Sequence, residues 1–149
     1  MTTSNNMHDA NPQMGDEFAR IYEAAANRIT GPVSRAVLDL AGGIGAGTRL
    51  LDIAAGAGAL SVPAAKRGAA VVAVDIAPGL VRRLQARLSG FPSCGAAVEN
   101  GEDLNFPDGA FDATFSVFGV MNFADWRKGL AEQARGTGIG GQGMRGNLA

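Results

Sequence analysis

The chain has 149 residues, which is room for one domain and no more. Hydrophobic residues are 46% and charged residues 18%, so the chain is not disordered, and 13 basic against 14 acidic side chains leave a net charge of −1, with neither a nucleic-acid footprint nor a polybasic membrane patch. One cysteine, Cys94, excludes an internal disulfide framework and a multi-cysteine metal site, and one histidine, His8, in a polar stretch argues against a Ser-His-Asp triad or a His-bound zinc.

Met1–Met14 has no apolar core and no basic run, so it is not a signal peptide. The longest apolar stretch, Gly68–Val74, is far short of the roughly 20 residues of a membrane helix. A soluble, cytoplasmic protein is expected, with residues 1–14 flexible, 15–135 folded and 136–149 an irregular tail. Gly15–Ala41 is predicted to be helical, with Phe18, Ile21, Tyr22, Ala25 and Ile29 at helix spacing. Gly31-Pro32 is predicted to break it before Val33–Leu40 resumes with Val37, Leu38 and Leu40. Gly42–Thr48 resembles a phosphate loop. It has Arg49 after Thr48 instead of a lysine before it and leads into a strand, so it is a connector. Arg49–Ala54 is a short apolar run, hence a buried strand, followed by a tight turn at Gly56–Gly58 and a helix over Ala59–Arg67. Ala69–Val74 is a second strand, ending at Asp75. Pro78 opens a helix at its first turn, where the missing N–H costs nothing. Leu80, Val81, Leu84 and Leu88 form its buried face, and Arg82, Arg83 and Arg87 a solvated one. Ala96–Val98 is a third strand, Pro107-Asp108-Gly109 a turn, Phe111–Phe118 a fourth strand and Trp126–Arg135 a helix. Cys94 reads as an ordinary small residue, not a nucleophile.

Strands alternating with helices imply an α/β fold, a Rossmann-like parallel sheet covered on both faces, which binds ligands at the carboxyl ends of its strands. Asp52-Ile-Ala-Ala-Gly56-Ala-Gly58 lies at such an end, where glycines permit a sharp turn and close approach of the backbone to a ligand. Asp75, about 20 residues further on, is placed to hold ribose hydroxyls. This pair suits a dinucleotide as well as other adenosine cofactors, and Ser61 in the third glycine position is a weak match to the dinucleotide pattern.

Three segments narrow the choice: LLDIAAGAGAL, VVAVDIAPGLV and ENGEDLNFPDGAFDATFSVFGVMNFAD. In their order and spacing, from about Phe18 to Arg135, the chain resembles the class I S-adenosylmethionine-dependent methyltransferases, in particular the ubiquinone/menaquinone-type small-molecule branch. The resemblance implies S-adenosylmethionine as cofactor and a small-molecule methyl acceptor as partner. By position, Asp52, Ala54, Gly56 and Gly58 would surround the methionine part of the cofactor, Asp75 the ribose, and Ile76 the adenine. Asn100 falls where the family usually has an acid facing the adenine amino group, and the Gly101 N–H would meet a ring nitrogen. Ser116, Val117 and Phe118 would line the pocket near the transferred methyl, and Tyr22 would close over the cofactor. No base is visible for an acceptor that must lose a proton. Glu102 and Asp103 read as part of the adenine loop or as a solvated turn.

The family's fold continues into a fifth strand beginning Val-Leu-x-Pro-Gly-Gly and a seven-stranded sheet. Here residues 136–149 hold six glycines and no strand or helix pattern, so a core truncated to four strands in the order 3-2-1-4 is expected. A forward shift of the reading frame lets Gly136-Thr137-Gly138 encode Val-Leu, which suggests a frameshifted gene. The fourth strand, Thr114–Phe118, would then lose its neighbour, and a homodimer or larger homo-oligomer covering it and Val120–Phe123 is expected. Three alternatives stand beside a methyltransferase core. One is an inactive cofactor-binding oligomer. Another is a hydrolytic activity using Asp52, Asp75, Glu102 and Asp103. The last is a nicotinamide-binding domain, against which the Asn100–Asp112 segment argues.

Overall fold

The computed structural model describes residues 12–138. Helix α1 (Pro12–Ala41) leads into strand β1 (Arg49–Ile53), helix α2 (Ser61–Lys66), strand β2 (Ala70–Asp75) and helix α3 (Pro78–Leu88). Strand β3 (Gly95–Val98), strand β4 (Ala113–Phe115), a single 3-10 turn (Val120–Asn122) and helix α4 (Trp126–Gly136) follow. The four strands are parallel and ordered β3-β2-β1-β4, as expected. Leu51 pairs with Val72 on one side and Thr114 on the other, so β1 lies inside the sheet. That position explains its mainly apolar sequence, buried on both faces from Leu50 to Ile53.

Side chains alternate across the sheet and build two cores. Leu50, Val71, Ala73 and Phe115 pack with Leu38 of α1, Ala64 of α2, and Leu84 and Leu88 of α3. Leu51, Ile53 and Val74 pack on the opposite face with Leu104 and Phe111, backed by Phe106 and Phe123. Gly42–Thr48 is a connector closed by the Thr48 amide donating to the Gly45 carbonyl at 3.0 Å. Cys94 packs partly buried against the first core, its thiol donating to the Ala69 carbonyl at 3.3 Å. Among the described residues no helix is long and apolar enough to cross a membrane.

Four local expectations are corrected. The helix does not break at Gly31-Pro32: α1 runs through Pro32. The carbonyl left without a donor is that of Arg28, four residues earlier; both residues are exposed, so water can serve it. The spaced apolar residues of α1 are not all covered, since Ile21, Ile29 and Leu40 are exposed. Arg83 and Arg87 are not merely solvated: both pair with Glu23 of α1, and Arg87 also donates to the Ala57 carbonyl. The fourth strand is three residues, not the eight of Phe111–Phe118. Phe111 pairs outward instead: its amide donates to the Gly136 carbonyl at 3.0 Å, and the Gly138 amide donates to its carbonyl at 2.7 Å. The chain leaving α4 therefore runs parallel beside the residues that lead into β4.

Candidate functional site

The carboxyl ends of β1, β2 and β4 meet at one rim of the sheet, where parallel topology gathers the loops. Asp52, the penultimate residue of β1, points to the helical layer and is 2% exposed. The Ser61 hydroxyl donates to its Oδ2 at 2.5 Å. Burial pushes its carboxyl up to about 7, the Ser61 hydrogen bond opposes the shift, and the negative Asp75 adds to it. The chain then turns sharply. Ala54 takes φ = +56°, a conformation that costs a non-glycine residue about 1 kcal/mol or more. Gly58 takes φ = +90°, and a Cβ there would stand 3.0 Å from Leu84 Cδ2, so the turn can rest on α3 only as glycine.

Asp75 ends β2 and is buried. Its Oδ2 accepts from the Gly56 amide at 2.9 Å and its Oδ1 from the Ala77 amide at 2.9 Å. One carboxylate thus ties the glycine turn of β1 to the start of α3. Ile76 beside it is about half exposed, as is Val98, which pairs in register with Asp75. Asn100 is exposed, and its Oδ1 accepts from the Glu102 amide at 3.0 Å, closing a turn. Gly101 is buried so tightly that a Cβ would lie 2.6 Å from Phe123 Cζ and 2.8 Å from Ile53 Cγ2.

After β4 the chain passes beneath the glycine turn. Ser116 carries a buried hydroxyl without a hydrogen-bond partner, and Phe118 takes φ = +62°. A Cβ on Gly119 would be 2.5 Å from both Ala54 Cβ and Ser116 Oγ, so the turns after β1 and β4 are pressed together. Asp52, Ala54, Ala57 and Val117 line one wall of a cleft here. Its other wall is α1, through Asn27, Thr30 and Ser34. These three polar residues escaped the sequence reading, although their spacing of three and four along a helix was a readable signal.

The expected residues therefore gather in two groups. Asp52, Ala54, Gly56, Gly58, Ser116 and Val117 surround the β1 turn, while Asp75, Ile76, Asn100 and Gly101 follow β2 and β3. The Tyr22 side chain lies outside the described residues. Glu102 is used structurally, its Oε1 accepting from the Asp125 amide at 2.5 Å ahead of α4. Among the described residues no three His, Cys, Asp or Glu side chains are grouped to hold a metal ion.

Residues 51–143 match the family described as the methyltransferase domain. An uncharacterized protein of Mycobacterium tuberculosis is 38% identical over 124 residues, covering 80% of this chain and 44% of its own. The demethylmenaquinone methyltransferase of Clavibacter sepedonicus is 35% identical over 123 residues, covering 83% of this chain and 45% of its own. The chain spans less than half the length of these relatives. A putative S-adenosyl-L-methionine-dependent methyltransferase from Methanococcus maripaludis shares the fold with a TM-score of 0.71 at 18% identity, over 86% of this chain and 59% of its own.

Proposed function

The chain belongs to the methyltransferase domain family, and from that premise we propose that it binds S-adenosylmethionine across the carboxyl ends of β1, β2 and β4 and presents it to a small-molecule acceptor. The observation that carries this reading is Asp75, held at the end of β2 by the Gly56 and Ala77 amides with the exposed Ile76 beside it. A buried carboxylate there suits ribose hydroxyls. Ile76 offers an apolar face to adenine, the Gly101 amide and the Asn100 side chain meet its polar edge, and the turn Ala54–Gly58 admits the methionine part.

The cofactor supplies a methyl group made electrophilic by the sulfonium that carries it. The protein's task is to hold the acceptor lone pair in line with the methyl–sulfur bond and to keep water out. Ser116, Val117 and Phe118 stand on the side from which an acceptor would approach, and none of them is a base. We also propose a homodimer, not through β4 itself, whose Ala113, Thr114 and Phe115 are buried within the chain under Gln133 of α4, but through the exposed Phe118 and Met121 that follow it.

The test is thermal unfolding with S-adenosylmethionine, its demethylated product or NADH. Both adenosyl sulfur compounds are expected to raise the unfolding temperature and NADH is not. Ile76→Asp should abolish the rise without changing the unliganded value, because Ile76 is exposed. No rise with either sulfur compound, or an equal rise with NADH, overturns the reading.

A further inference from the structure

Helix α1 enters the hydrophobic core by its second half. Leu38 belongs to the core on the helical side of the sheet, Val37 and Ala41 pack against it, and Gly31 and Ser34 are buried. No described residue from Glu17 to Thr30 is buried, and Ile21 and Ile29 are exposed. This first half still walls the cleft, through Asn27 and Thr30. Glu23 fastens it to α3. The Arg83 Nε donates to Glu23 Oε2 at 2.5 Å, and Arg87 Nη1 lies 3.4 Å from Glu23 Oε1. The same Arg87 nitrogen donates to the Ala57 carbonyl at 2.5 Å, so one guanidinium joins α1 to the turn after β1. Between the two halves stand Thr30, Gly31 and Pro32, three successive residues of low helix propensity. The Thr30 hydroxyl donates to the Ala26 carbonyl at 2.7 Å, a contact that bends helices. Pro32 leaves the Arg28 carbonyl without its helical donor.

We propose that the first half of α1, Pro12–Thr30, is a hinged gate on the cleft, with Thr30–Pro32 as its hinge and the ion pairs of Glu23 with Arg83 and Arg87 as its latch. Docked, the gate closes the cleft against the turn after β1, and Arg87 is shared between Glu23 and the Ala57 carbonyl. Breaking the pairs lets the half-helix swing away without tearing any described side chain out of the core. A latch made of charges behaves unlike one made of apolar contacts. Glu23 and both arginines keep part of their surface in water, so salt weakens the pairs. What passes the gate rests on the cofactor reading above; the hinge and the latch stand on the helix itself.

The experiment reads the gate first without ligand. Amide hydrogen exchange compares the wild type with Glu23→Gln and Pro32→Ala. Glu23→Gln keeps the size of the side chain and removes its charge. It should speed exchange over residues 17–30 about three- to tenfold and leave residues 33–41 within about twofold. Pro32→Ala returns a donor to the Arg28 carbonyl and should slow exchange over the same first stretch. Raising salt from about 0.01 M to about 1 M cuts the Debye length from about 30 Å to about 3 Å, and should speed the wild type but not Glu23→Gln. Stopped-flow displacement of S-adenosylhomocysteine then tests the gating. Glu23→Gln should raise association and dissociation rates together with affinity kept within about twofold, and Pro32→Ala should lower both rates. Exchange that rises equally along the whole of α1, or nowhere, overturns the hinge and the latch. Unchanged rates in both variants, or faster dissociation with affinity lost in proportion, overturns the gating. A wild type that binds no S-adenosylhomocysteine overturns the cofactor reading, and hydrogen exchange still decides the hinge and the latch.

Discussion

Asp52→Asn isolates a buried and strongly perturbed carboxyl of the rim. The amide fills the same space and can still accept the Ser61 hydrogen bond, but it cannot ionise. In the folded protein burial raises the Asp52 carboxyl from the ordinary 3.8 to about 7. The unfolded chain therefore releases this proton near pH 4, whereas the folded chain holds it to about pH 7. Between those values the native state binds more protons than the unfolded state, so stability falls as pH rises. The stabilising contribution is complete below the unfolded value and is lost as pH climbs through the folded one. Linkage with these two values gives a loss of about 2–3 kcal/mol between pH 5 and pH 8. For a chain of this size that is a drop of roughly 6–12 °C in unfolding temperature. The assay is urea or thermal unfolding of both proteins at pH 5, 6, 7 and 8. Groups distant from Asp52 titrate alike in the two proteins, so the difference between the curves belongs to Asp52 and its coupling to Asp75. The variant should lack the decline, and its advantage should grow with pH. Parallel curves would show that Asp52 does not hold a proton at neutral pH and would refute the reasoning.

Arg135 donates to the Leu104 and Phe106 carbonyls and pairs with Asp108 and Glu132, so Arg135→Ala should cost roughly 2–3 kcal/mol by urea unfolding, with the loop over Leu104–Asp108 losing hydrogen-exchange protection first. Gly119→Ala inserts a methyl 2.5 Å from Ala54 Cβ and Ser116 Oγ, and should cost about 1–3 kcal/mol while abolishing cofactor binding, because relief comes only by moving the turn after β1. Arg49→Ala removes an exposed pair with Asp112 and should change stability by about 1 kcal/mol or less. Light scattering at micromolar concentration should give twice the chain mass; a monomer would remove the proposed interface at Phe118 and Met121.

The central strands were legible because their signals are local. An apolar run between glycine-rich turns puts β1 within one residue of its observed end, and Pro78 with the spacing of Leu80, Val81, Leu84 and Leu88 sets α3 and its buried face. The site elements Asp52, Gly56, Gly58 and Asp75 were legible for the same reason, each being bound to a strand end. What escaped depends on partners distant in sequence. The aromatic, β-branched run Phe111–Phe118 looks like one long strand, but Phe111 is taken by Gly136 and Gly138, and the crowding of Gly119 against Ala54 turns the chain after Phe115. Arg83 and Arg87 look like a solvated face until α1 brings Glu23 beside them, 60 residues from Arg83. Ser34 reads as an ordinary helix residue until the turn after β1 closes over it.

The most direct measurement is calorimetric titration of S-adenosylmethionine into the wild type and into Asp75→Asn, with unfolding temperatures recorded for both. The variant's amide cannot accept from both the Gly56 and Ala77 amides as the carboxylate does. One-to-one binding by the wild type, weakened at least tenfold in a variant that remains folded, is the predicted result. A wild type that does not bind, or a variant that binds equally well, would contradict a cofactor held at the end of β2.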